Sequence, residues 1–169
     1  ILPMLRDVPE DDAVLAYCAD LAASLETLDA FREPVRVLLD RKAIKAATKK
    51  WNWVKKGAPV IVEVGGRDVA GGNVSVLRRD RLYNDAGKLD SAIMPREAFV
   101  DGLVDMLGDI QSTLHTQART RLVASIRRDI HDRDALAAFF TDDARAGWAE
   151  VQWSKPTGAD LDKVVEWLK

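Results

Sequence analysis

The feature that most constrains this chain is a strand-sized apolar run, Val60–Val64, held between two glycine-bearing stops. Lys56-Gly57-Ala58-Pro59 precedes it and Gly65-Gly66-Arg67-Asp68 follows it. Gly57 and Pro59 end any helix arriving from upstream, and Gly65-Gly66 ends the strand, so residues 60–64 read as a short buried strand. What arrives from upstream is cationic. From Arg41 to Lys56 there are seven Lys or Arg, no acid, and two tryptophans, Trp51 and Trp53. The spacing predicts a helix over 43–54, with Ala43, Ile44, Ala47 and Trp51 as its apolar side and the lysines fanning outward. On that spacing Trp51, rather than Trp53, is the core tryptophan.

The rest of the chain supplies layers for that strand. Ile1–Leu5 reads as a first strand. Glu10, Asp11 and Asp12 place negative charge at a helix start, and Val14, Cys18, Leu21, Leu25 and Leu28 follow at helical spacing. Pro34–Leu39 reads as a buried strand ending at Asp40. Gly71-Gly72 marks a turn, Asn73–Leu77 an antiparallel strand, and 82–94 a polar loop centred on Asn84, Asp85 and Gly87. Pro95 opens a long helix along Phe99, Leu103, Met106, Leu107, Ile110, Leu114 and Ala118, ending between 121 and 130. Beyond it, Asp134–Phe140 predicts a short helix and Trp148–Trp153 a short strand. Leu161, Val164, Val165 and Leu168 form the inner face of a last helix. The order implies an α/β fold: a mixed sheet of about five strands flanked by helices, with a small C-terminal α/β appendage. The expected divisions are 1–94, a linking helix over 95–130, and 131–169.

Charge narrows the function. The net charge of −2 conceals a partition: residues 1–40 sum to −6, residues 41–81 to +8 and residues 82–169 to −4. Only the middle third can present a cationic face, and a basic segment carrying aromatics suits a polyanion whose bases can be stacked. Arg41, Lys49, Lys56 and Arg67 are candidates for phosphate or guanine-edge contact, and Trp53, with Asn52 beside it, for base contact. Asp40 and Asp68 are placed to orient Arg41 and Arg67, or to cap turns at strand ends. Gly65-Gly66 and Gly71-Gly72 lack the Gly-Lys-Ser/Thr ending of a phosphate loop. His115 and His131 stand 16 residues apart with no partner cluster, and no Ser or Cys nucleophile motif appears, so no catalytic or metal-binding residue is assigned. The lone Cys18 forms no internal disulfide and points to a reducing, cytoplasmic setting. No apolar run is long enough for a membrane span. The chain opens on Ile1 without Met, as a piece of a longer protein would.

Asp40-Arg41, Lys49, Trp53, Lys56-Gly57-Ala58-Pro59, Gly65-Gly66-Arg67-Asp68 and Arg78-Arg79-Asp80 occur here in order, followed by Ile110–Leu114 and Ala118. In that order they resemble the C-terminal part of prolyl-tRNA synthetases of the archaeal and eukaryotic-like type, closely over 1–130 and weakly over 131–169. The resemblance implies the class II synthetase anticodon-binding fold and, as partner, a proline tRNA held at Arg41, Lys49, Asn52, Trp53, Lys56 and Arg67. It also implies an N-terminal catalytic domain that uses ATP and magnesium, absent from this chain, which itself needs no cofactor and would be inactive alone. A homodimeric full-length enzyme follows from the same likeness. Two departures stand out. Val54 replaces the family's usual Glu after the tryptophan, and no cysteines stand where many relatives hold zinc. The competing readings are a free-standing RNA-binding module and a flavodoxin-like small-ligand protein with an apolar pocket at its strand ends.

Overall fold

A computed structural model describes residues 1–42, 44–141, 147–152 and 156–167. It divides into two compact units, Ile1–His115 and Thr116–Lys169. The first unit is built on a four-stranded sheet in the order β1-β4-β5-β6. Strand β1 (Leu2–Pro3) leads into helix α1 (Asp11–Glu26), and the small hairpin β2 (Asp29–Ala30) and β3 (Glu33–Pro34) follows. Helix α2 (Ala46–Lys56) precedes β4 (Val60–Val64), and α3 (Gly66–Gly71) precedes β5 (Asn73–Arg78). Strand β6 (Ser91–Pro95) then runs directly into α4 (Arg96–Ser125). β1 lies parallel to β4, with Leu2 opposite Glu63, while β4–β5 and β5–β6 are antiparallel. This mixed α/β architecture is the expected one, with four strands in the sheet. The antiparallel meander excludes the doubly wound flavodoxin-like alternative, whose central strands are parallel.

Alternation along β4 and β5 sorts the side chains into two layers. Val62, Val64, Val74 and Val76 face α1 and α4, where they meet Val14, Cys18, Leu21, Leu25, Phe99 and Leu103. Leu2, Ile61 and Leu77 face the other way and are covered by Trp53, Val54 and Ala58 of α2 and its turn, with Leu82 and Leu89. Burial raises the Cys18 thiol to about 11, which leaves it a packing group at neutral pH. At the end of β5, Arg78 makes a bidentate pair with Asp80 at 3.0 and 2.8 Å and reaches Asp109 of α4 at 2.7 Å.

Four expectations change. Pro34–Leu39 is an extended segment alongside β1: the Ile1 nitrogen donates to the Leu38 carbonyl, and the Asp40 N–H donates to Ile1. These two bonds tie the segment to Ile1, while the β1 ladder is formed with β4. Residues 82–94 are half loop and half strand, since β6 pairs Ser91 with Leu77 and Pro95 with Asn73. Gly66–Gly71 is a helical turn. The core-facing side of α2 differs too: Ile44 and Ala47 are exposed, Ala43 lies outside the described residues, and Trp53 packs on the small cluster.

The tip of the β2–β3 hairpin carries strain. Phe31 and Arg32 form its two-residue loop at φ 56° and 69°, the left-handed region that usually calls for Asn-Gly. Arg32→Gly is expected to raise the unfolding free energy by about 0.5–1 kcal/mol. A urea midpoint unchanged or lowered would show that other contacts set this turn.

The second unit contains β7 (Ile126–Arg127), paired in parallel with β8 (Trp148–Ala149), and helices α5 (Arg133–Thr141) and α6 (Ala159–Trp167). Ile130 and Phe139 are buried. β8 is shorter than expected, with Trp153 outside the described residues. Helix α6 forms where expected but buries no residue: Leu161 and Val165 are exposed, and Leu168 lies outside the described residues. No described helix is long and apolar enough to cross a membrane.

Candidate nucleic-acid interface

The cationic segment splits into an interior and a surface. Lys49 is only 4% exposed and Asp40 only 7%. The Lys49 Nζ donates to the Asp40 carbonyl at 3.2 Å, and the Trp53 indole N–H donates to Asp40 Oδ2 at 2.8 Å. Asp40 Oδ1 accepts the Lys42 N–H at 3.1 Å. Burial pushes the Asp40 carboxyl up. The hydrogen bonds from Trp53 and Lys42, with the charges of Lys42 and Lys49, outweigh it and hold the group below its ordinary value. Lys50 is engaged by Glu63 at 2.8 Å. That leaves Arg41, Lys42, Lys45, Lys55 and Lys56 on the surface.

Lys49 is therefore a buried strut, and Trp53 is the tryptophan that reaches the core. Asp40 holds these two side chains. Asp68 Oδ2 accepts the Gly65 N–H at 2.8 Å and so caps α3. Asp40 orients the helix, not Arg41, and Asp68 serves the turn, the capping role weighed above for both.

Trp53 is fixed along its edge, and its ring is covered in part by Lys56. The Lys56 ammonium stands 4.6 Å from the ring centroid, a cation–π contact. Around it lies a cavity of about 240 Å³, with Asn52, Lys55 and Lys42 on its walls. Trp53 also lines a larger groove of about 770 Å³ that runs between Val35 and Val37 of the extended segment and Pro59 and Ile61. Helix α2 ends at Gly57, whose φ of 87° needs glycine, and an added Cβ would come within 3.3 Å of Arg79 Nη1. That same Nη1 donates to the Val54 carbonyl at 3.1 Å, satisfying a last-turn acceptor. Val54 itself is half-buried against the Leu2–Ile61–Leu77 cluster, so its side chain covers core.

The structure brings Asp40, Lys49, Asn52, Trp53 and Lys56 together. Arg41 is exposed just beyond Asp40. Arg67 is exposed at the far end of β4, beside a separate depression of about 350 Å³ with Met4, Arg6 and Ile93. Lys42 and Lys55 join the cavity without having been singled out. Helical spacing would have flagged Lys55, one turn beyond Trp51 and adjacent to Lys56. Among the described residues no three His, Cys, Asp or Glu side chains converge to hold a metal ion.

A proline–tRNA ligase of Sphingomonas elodea is 61% identical over 170 residues, covering the whole of this chain and 33% of that protein. One from Akkermansia muciniphila is 36% identical over 158 residues, covering 90% of this chain and 29% of that protein. The chain thus spans about a third of the length of the curated relatives it matches. In fold it is similar to the crystal structure of prolyl-tRNA synthetase from Cryptosporidium parvum complexed with L-proline and AMP. The TM-score is 0.74 at 20% identity, covering 99% of this chain and 32% of that one. Residues 1–105 match the model of the anticodon binding domain, and the chain belongs to that family.

Proposed function

We propose that this chain is the C-terminal, anticodon-recognising part of a cytoplasmic proline–tRNA ligase of the archaeal and eukaryotic-like type, and that its partner is the anticodon loop of a proline tRNA. The observation that carries this reading is the Trp53 site. An indole locked by its edge to a buried carboxylate, with Lys56 over its ring, borders a small cavity with an amide, Asn52, and lysines on the walls. Such a site suits an unpaired base that stacks or hydrogen-bonds while its phosphates meet Lys42, Lys55 and Lys56. Arg41 and Arg67 extend the cationic contacts at the two ends. Residues 1–94 then form the recognition domain, 95–130 the link, and 131–169 a brace for the catalytic domain. ATP, magnesium, proline and the ligation belong to the remaining two-thirds of the full-length protein, which acts as a homodimer.

The test is binding of this chain to a proline-tRNA anticodon stem-loop, and to one with its middle guanine changed, across a salt series. Lys55→Ala with Lys56→Ala is expected to flatten the slope of log affinity against log salt by about 2. Arg67→Ala is expected to reduce the discrimination between the two loops. Salt-dependent binding without discrimination would reduce the site to a phosphate holder. An absence of binding at low salt would remove RNA recognition from this chain.

A further inference from the structure

A second aromatic surface lies outside the Trp53 cavity. Trp51 of α2 stacks on Tyr83 with ring centroids 6.4 Å apart and planes 27° from parallel, and Tyr83 remains 53% exposed. Tyr83 stands at the base of the tight turn that joins β5 to β6, and this turn is stitched from within. The Asn84 N–H donates to the Lys88 carbonyl and the Gly87 N–H to the Asn84 carbonyl, each at 2.8 Å. Asn84 Oδ1 accepts the N–H groups of Ala86 and Lys88 at 3.1 and 3.0 Å. Tyr83 and Leu89 form a β-bridge, and the Asp90 N–H donates to Leu82. Leu82 and Leu89 pack against the Leu2–Ile61–Leu77 cluster, while the Tyr83 ring lies against Trp51.

The outcome is a planar ring held rigid by a stitched turn and backed by an indole, yet open to solvent over half its surface. Lys55 is exposed one helical turn beyond Trp51, on the helix that also lines the Trp53 cavity. The charge of the neighbourhood specifies the contact. Residues 41–81 sum to +8 and attract an anionic chain, whereas the turn itself carries exposed Asp85 and Asp90 against a single exposed Lys88, a local excess of negative charge that disfavours phosphate. A ligand seated here therefore presents a base rather than its backbone. We infer that Tyr83, backed by Trp51, is a stacking platform for an unpaired nucleobase of the bound RNA, separate from the base at Trp53. This role rests on the RNA-binding function proposed above. Stacking on a pre-ordered ring is tolerant of base identity, so the platform adds affinity and loop orientation rather than sequence discrimination.

The experiment measures anticodon stem-loop affinity at low salt for the wild-type chain and for Tyr83→Phe, Tyr83→Leu and Tyr83→Ala, with thermal melts of each. Tyr83→Ala and Tyr83→Leu are expected to bind about 5- to 30-fold more weakly and Tyr83→Phe within about 2-fold of wild type. The salt slope is expected to stay constant, since no phosphate contact is lost. Tyr83→Leu keeps an apolar contact on Trp51, so it reports on stacking even if the alanine variant folds poorly. Wild-type affinity in Tyr83→Leu would overturn the platform while leaving RNA recognition intact, and so would a loss of affinity accompanied by a flatter salt slope. If the wild-type chain fails to bind the stem-loop at all, both the platform and the RNA function fall.

Discussion

Asp40→Asn is expected to lower the unfolding free energy of this chain by about 2 kcal/mol, because it removes the charged acceptor of the Trp53 and Lys42 N–H groups and the negative charge beside the buried Lys49 ammonium. Lys49 is 4% exposed and its hydrogen bond goes to the Asp40 backbone carbonyl, which the Asn variant keeps, so what Lys49 loses is the neighbouring negative charge. Adding Lys49→Met to Asp40→Asn removes the cation left without that charge and is expected to recover part of the loss. Urea denaturation of the four proteins in the cycle measures the coupling. The pH dependence has a definite sign. The folded Asp40 carboxyl lies below its ordinary value of 3.8, so its stabilising contribution is complete above that value. It is lost as pH falls through the lower folded-state value, and the Asn variant lacks this term. Additive effects of the two substitutions, or a loss below about 1 kcal/mol, would mean that Asp40 and Lys49 act independently.

Arg78→Met is expected to cost about 2–3 kcal/mol, because it takes a bidentate guanidinium away from a carboxylate that is nearly buried. Arg78 and Asp80 are 12% and 3% exposed, and their two hydrogen bonds hold the Asp80 carboxyl below its usual range. Asp109, the other partner of Arg78, is 64% exposed, so Asp109→Ala is expected to cost less than about 1 kcal/mol. Chemical denaturation of the two variants side by side separates the inner pair from the outer one. Equal losses would show that anchoring to α4, and not burial of Asp80, sets the energetics here.

Where the chain could be read in advance, the code was apolar periodicity. Val14, Cys18, Leu21 and Leu25 announced α1, and Val60–Val64, fenced by glycines, announced β4. The misreadings share a cause: a polar partner elsewhere settled the matter. Spacing favoured Trp51 as the core tryptophan, yet Trp53 has Asp40 to receive its N–H. A lysine at position 49 looks solvated until a buried carbonyl is found to accept it. Ser91–Pro95 has no alternation of its own and becomes a strand only because β5 offers a ladder. At the candidate interface, the order of Asp40, Trp53 and Lys56 was legible as a motif. That Arg67 would sit at the far end of β4 was legible from the Gly65-Gly66-Arg67-Asp68 stop, whereas the meeting of Tyr83 with Trp51 depended on hairpin geometry that local composition does not encode.

The order of strands in the sheet has a kinetic consequence. β4, β5 and β6 are joined by short connections, and each can pair with its neighbour as soon as it is formed. β1 must find β4 across the whole of α1, the small hairpin and α2, since Leu2 pairs with Glu63. Closing that loop costs chain entropy before any contact repays it, so β1 joins a meander that already exists. The segment that docks beside β1, ending at Asp40, can lock only afterwards. Formation of the Trp53 site is thereby deferred to the final stage of folding, and an incompletely folded chain would display its lysines without the indole set in place among them.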